Sequence, residues 1–428
     1  MRILTAVLVL CLLLLGQSDS RAANYVEVTA AGNRQLKLAV VPPQPLGATV
    51  QPELANEAAE VNSFDLSMSG LVMAERRDAA LLANGLALTP IDFVPWLSSG
   101  YDLLIRGEYE VRGQQLAIEF RLYDVMAKKL LTSKRFLGNV ADLRRYAHSF
   151  SDEVVRALTG EKGPFTSKIL YVSTQPGNKE LFLMDWDGYN PRQLTSNRSI
   201  NISPDISPDG REIIFTSYKR GNPDLYKRGL SSTVEVPVSH RPGLNITGAW
   251  SPDGSKIALA LSKDGNTEIY TVARDGSAPN RLTVSHAANV SPAWSPDGKR
   301  IAFVSDRLGK PQIFTMDALG GNVQRFPISG GYIVNPAWSP KGDKLAYARM
   351  AGGFQIFVAN ADGTNEQQLT TEGSNERPRW SPDGRLIVFS SKRGGQEALY
   401  VMRADGSGQT KVSRTKGANL HPVWVPVR

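Results

Sequence analysis

Few residues of this sequence have the types and spacing that chemistry needs. The four histidines, His148, His240, His286 and His421, fall at no metal-ligand spacing. The periodic polar feature is a set of asparagines, Asn201, Asn245, Asn289, Asn375 and Asn419, with Ile333 in the remaining place and Glu376 beside one of them. Amide and carboxylate oxygens are ligands for hard cations, so a metal-dependent hydrolase using a central channel is one reading. One carboxylate among amides binds a divalent ion weakly, which counts against it. Asparagine also caps turns through its own backbone bonds. A polar rim that hydrogen-bonds a partner or an ion, and a ring of turn caps, both fit the sequence. No catalytic residue, metal or cofactor is expected.

A repeat positions these asparagines. Each of the six places lies five residues before one of Ile206, Trp250, Trp294, Trp338, Trp380 and Trp424. The first five of those are followed by Ser-Pro-Asp-Gly, or by Ser-Pro-Lys-Gly at Lys341. A period of about 44 residues with several short strands per unit is the signature of a propeller blade. Proline presets φ and glycine takes the positive φ that closes each turn; Lys341 should lose a side-chain bond but keep that geometry. Strand triplets starting near Lys168, Glu212, Lys256, Arg300, Lys344 and Leu386 give six blades. The final Trp424 strand should pair with the triplet at Lys168 and close the ring, removing exposed sheet edges. One tryptophan per blade, in one place, reads as inter-blade packing.

The loops between the first two strands of each unit should share the asparagine mouth, and they are basic. Lys219, Arg220, Lys263, Arg307, Lys310, Arg349, Lys392 and Arg393 lie in or beside them. Concentrated on one face, such charge favours an acidic or polar protein partner. Arg220, Lys263 and Arg307 are the basic contacts expected, with Tyr332 and Ile333 as an apolar anchor where the asparagine is missing.

Ahead of the propeller, residues 23–165 show no repeat. A strand over Leu36–Val41, a helix over 54–66, three alternating runs (102–111, 115–123, 129–136) and an amphipathic helix over 141–158 ending at Gly160 make a small mixed α/β domain. Tyr25-Val26-Glu27-Val28 is a short strand-former, either a frayed end or a segment that adds to another protein's sheet edge. Residues 1–22 have the layout of an export signal, with Arg2, a 13-residue apolar stretch and small residues at Ser20 and Ala22. That stretch is too short to span a bilayer, which takes ~20 residues. Cys11, the sole cysteine, lies inside it, so the mature chain would hold no thiol. Net charge is +8. A basic surface suits anionic lipid or acidic protein, and export argues against nucleic acid as a partner. A serine peptidase of the propeller-bearing type would need a Gly-x-Ser-x-Gly elbow, and the sequence has none.

The combination resembles the TolB family of the Tol–Pal system. Its most specific stretch is Tyr146-Ala147-His148, Ser151-Asp152-Glu153-Val154, Leu158-Thr159-Gly160, Gly163-Pro164-Phe165 and Lys168-Ile169-Leu170-Tyr171-Val172. The resemblance implies a periplasmic, non-enzymatic adaptor, peripheral to membranes. It would bind the peptidoglycan-associated lipoprotein Pal through one propeller face and TolA through the N-terminal segment at Tyr25–Val28. Outer-membrane integrity and constriction at division would depend on it, and bacteriocins would exploit the same face. The expected division is 1–22 signal, 23–165 α/β domain, 166–428 propeller.

Overall fold

The computed structural model describes residues 35–47, 49–77 and 91–426. The expected signal and the Tyr25–Val28 segment lie outside the described residues. The chain runs β1 (Leu36–Val40), β2 (Gln44–Pro45), α1 (Pro52–Met68), β3 (Val72–Arg76), α2 (Val94–Ser98), β4 (Leu103–Arg112), β5 (Gln115–Asp124), β6 (Lys129–Asn139) and α3 (Leu143–Thr159). One sheet has the order β3-β1-β4-β5-β6, with β2 paired to β4. β1 is parallel to both its neighbours, whereas β4, β5 and β6 form an antiparallel meander. Alternation buries Leu116, Ile118, Phe120 and Leu122 of β5 beneath α3, whose Leu143, Tyr146, Ala147, Phe150 and Val154 are buried in turn. Gly160 ends α3 in the left-handed conformation at φ 80°. The expected strands and helices are present. β2, β3 and α2 are additions, each two to five residues long and too short to show a period. Among the described residues no helix is long and apolar enough to cross a membrane.

Six four-stranded antiparallel sheets follow, the propeller that the repeat implied. Strand Asn419–Val425 pairs with Lys168–Ser173, Trp424 opposite Ile169, so the last strand completes the first blade. In each Ser-Pro-Asp-Gly turn the serine hydroxyl ties both sides. Ser295 Oγ accepts from Arg300 N at 2.9 Å and donates to Asp297 at 2.6 Å. Where Lys341 replaces the aspartate, Ser339 bonds Asp343 instead, and Lys341 Nζ reaches Glu161 of the α/β domain at 3.3 Å. The departure from the repeat therefore serves the domain joint. Trp250, Trp338, Trp380 and Trp424 are buried between blades, and Trp380 Nε1 donates to Ala337 O of the preceding blade at 3.0 Å.

The α/β domain sits on the tryptophan end of the ring. Trp186, fully buried, stacks on Phe64 of α1 at 5.2 Å and on Trp424 at 6.5 Å. Beside it His148 Nδ1 lies 2.9 Å from Asp65 and its Nε2 3.4 Å from Asp187, which also binds Arg144. Arg403 donates to Ser67 O at 2.7 Å, and Glu161 answers Lys341 and Arg385. Among the described residues, these contacts leave the asparagine end free of the α/β domain.

Candidate protein-docking face

Each asparagine opens an innermost strand, and all five are buried. Asn289 is representative. Its Nδ2 donates to Glu268 at 2.7 Å and Ser285 Oγ at 2.8 Å, and its Oδ1 accepts from Arg307 Nη2 at 3.0 Å. Asn375 repeats this with Gln355 at 2.8 Å and Arg393 at 3.1 Å. Asn201 bonds Glu180, Asn245 bonds Asp224, and Asn419 bonds the Thr415 and Gly417 carbonyls. The amides therefore hold the loops of the mouth together and are not offered to a partner or an ion. That corrects the polar-rim reading in favour of turn capping. Burial decides it, because an enclosed amide must find its partners inside the protein. The sequence does carry a signal for this, the buried Glu180, Asp224, Glu268 or Gln355 at the start of a second strand, about twenty residues earlier. Asn289→Ala is expected to strand Arg307 and Glu268 and lower stability by about 1–3 kcal/mol in a denaturant melt.

Several basic residues are also structural. Lys219, Lys263, Arg307, Arg349 and Arg393 lie over Tyr226, Tyr270, Phe314, Phe357 and Tyr400, at 3.8, 5.1, 4.6, 3.7 and 4.5 Å from the ring centroids. Such cation–π contacts anchor each loop on its own blade. Arg307 and Lys263 are thereby half-buried, and Arg220 alone of the three expected basic contacts is exposed. Where Ile333 replaces asparagine, Arg349 bonds Glu366 at 2.7 Å, and Tyr347 binds the same carboxylate. Ile333 is itself fully buried, so it cannot be the expected anchor. Tyr332 can, being 44% exposed and packed on Phe354 at 5.6 Å. Glu376 is half-buried, and its neighbour Arg377 lines the channel, setting a guanidinium against any cation Glu376 would hold.

The exposed surface of this end has a pattern of its own. The residue just before the capped position is Ile200, Leu244 or Tyr332 in three blades, and all three are exposed. Leu308 at a loop tip and Met350 at the end of its strand add to them, and Arg220, Lys310 and Lys392 stand exposed among them. Apolar side chains interleaved with cations on a rigid scaffold are the composition of a protein-docking surface. His240 and His286 are exposed on separate loops, while His148 belongs to the domain joint.

Two family models match the chain, one described as the TolB amino-terminal domain over residues 24–131 and one as the TolB beta propeller domain over residues 155–428. A Tol-Pal system protein TolB from Geobacter sulfurreducens is 65% identical over 402 residues, 94% of this chain and 93% of that one. Its counterpart from Geobacter metallireducens is 64% identical over 403 residues, 94% of each chain. Among solved structures, TolB from Acinetobacter baumannii superposes with a TM-score of 0.80 at 25% identity, covering 92% of this chain and 98% of that chain. A nidogen/laminin complex shares the fold alone, with a TM-score of 0.51 at 10% identity, covering 60% of this chain and 98% of that chain.

Proposed function

Because the chain belongs to the TolB family, we propose that it is a non-enzymatic periplasmic adaptor of the Tol–Pal envelope system, docking a Pal-type outer-membrane lipoprotein on the asparagine end of its propeller. A TolA-type inner-membrane protein would be met through Tyr25–Val28. Bridging the two would support the outer membrane, including during constriction at division, and bacteriocins that use the same face would compete for it. The observation that carries this reading is the exposed set Tyr332, Leu308, Ile200 and Leu244 among Arg220, Lys310 and Lys392, on the end that the described residues of the α/β domain leave free. An apolar centre supplies affinity and the cations supply steering toward an acidic partner.

The test is capture of the lipoprotein's periplasmic domain by the mature protein. Arg220→Glu is expected to weaken capture about fivefold at low salt, with the gap closing as salt rises. Tyr332→Asn is expected to weaken it about tenfold at every salt concentration. Asparagine tolerates the φ of 65° at that position, so the backbone should survive the change. Affinity and salt slope unchanged in both variants would discard this face.

A further inference from the structure

Inside the asparagine mouth the channel narrows to a waist lined, once per blade, by Ser203, Thr247, Ser291, Asn335, Arg377 and His421. All six have φ between 51° and 56°. At this point the innermost strands bulge, the pairing register shifting between Ile202 and Asp205 and equivalently in the other five. Threonine, arginine and histidine are strained at positive φ and persist there only because the closed ring over-determines the backbone. The cavity measures about 40 Å³, room for a small polar group, and opens on the tryptophan side into a chamber of about 280 Å³.

The waist is electropositive. Arg377 and Arg379 both line it, and among the described residues no carboxylate does. Arg379 feels the nearby Asp205, which also accepts from Trp250 N at 2.9 Å. Among the described residues Arg377 makes one long hydrogen bond, 3.5 Å to Ser203 Oγ. Burial and then the Arg379 charge bring the Arg377 guanidinium down to about 10, against a weaker pull from Glu376 and Glu397. Burial, followed by the cations Arg377, Lys179 and Arg379, holds His421 well below the usual imidazole range, so it is neutral, with Nδ1 accepting from Ser203 N at 3.0 Å. The enclosed Oδ1 of Asn335 has no partner among the described residues, and turning that amide over would present its NH2.

We propose that the waist is a carboxylate site, in which one carboxylate seats against the Arg377 guanidinium with the Ser203, Thr247 and Ser291 hydroxyls as further donors. Arginine–carboxylate bonds are charge-assisted, and the low local dielectric of a narrow, enclosed channel strengthens them. The carboxylate is either a small free organic anion or an acidic side chain inserted by a docked protein. A divalent cation is disfavoured here by the same charges.

The test has two arms. In the first, the mature protein is titrated with sodium acetate at constant ionic strength while the His421 imidazole resonances are followed. A saturable shift is expected, lost in Arg377→Asn and largely kept in Arg377→Lys. The Arg377→Asn change places an amide where the preceding blade already holds Asn335 at φ 55°, so this variant should fold, which a thermal melt verifies. In the second arm, which alone rests on the docking reading, lipoprotein capture is measured with and without acetate. If the partner supplies the carboxylate, acetate competes and Arg377→Asn weakens capture about tenfold, about 1.4 kcal/mol. If the anion is free, the resonance shift appears and capture is indifferent to both. No saturable shift, together with capture insensitive to acetate and to Arg377→Asn, overturns the site.

Discussion

Ending the chain at Ala418 is expected to abolish cooperative unfolding of the propeller and leave an aggregating, protease-sensitive chain. The strand removed, Asn419–Val425, is the innermost strand of the first blade and pairs along the whole of Lys168–Ser173. It buries Leu420, Val423, Trp424 and Val425, each 4–5% exposed. Burying side chains of this size contributes roughly 1.5–3 kcal/mol each. Together that rivals the net stability of a typical domain, about 5–15 kcal/mol. Its loss also bares the edge of Lys168–Ser173, the one strand it pairs with, and takes Trp424 from its stack on Trp186, loosening the α/β domain as well. A calorimetric trace with a single sharp transition at the full-length temperature would refute this account of ring closure.

Asp187→Ala is expected to cost about 3–5 kcal/mol, because it removes the carboxylate shared by Arg144 and His148 inside the domain joint. Burial alone would push the His148 imidazole down. The Asp65 charge and the bonds to Asp187 and Asp65 outweigh it and raise the group to about 10. The two carboxylates respond differently to the same enclosure. Burial raises Asp65 despite its contact with His148, whereas at Asp187 burial is overcome by His148 and Arg144 and the carboxyl is lowered.

The pH dependence follows. Above the ordinary imidazole value of 6.5 the unfolded chain releases this proton, while the folded chain keeps it until about 10. The folded state then holds more protons, so the contribution of His148 is complete below pH 6.5 and is lost as pH rises toward 10. The wild-type melting temperature should therefore fall across that window, and His148→Gln should show a flatter profile. Parallel profiles for the two proteins would mean that the imidazole is neutral in the joint.

The propeller was legible because its cause is local and repeated. Trp-Ser-Pro-Asp-Gly names a turn by chemistry, and its regular return names a ring. The α/β domain was legible wherever an element was long enough to show its period, as in α3, and not in β3, whose five residues acquire meaning only beside β1. The mouth of the ring was half legible. The asparagines marked one end of the propeller, but the sequence does not distinguish an amide that faces a partner from one that faces Glu268. Arg307 and Arg220 are both arginines of loop tips; only the aromatic ring beneath Arg307 and its bond to Asn289 separate a structural cation from an available one.

By itself, then, the sequence determined six blades, their closure by the Trp424 strand and a basic mouth, all consequences of residue type at fixed spacing. Tertiary structure decided which side chains remain at that mouth. Ile200, Leu244 and Tyr332 stay exposed and the asparagines do not, because burial depends on what the neighbouring blade brings alongside. It also decided that Arg377 and His421 share one waist with Ser203. Residues 174 and 218 positions from Ser203 along the chain meet there only because the ring closes.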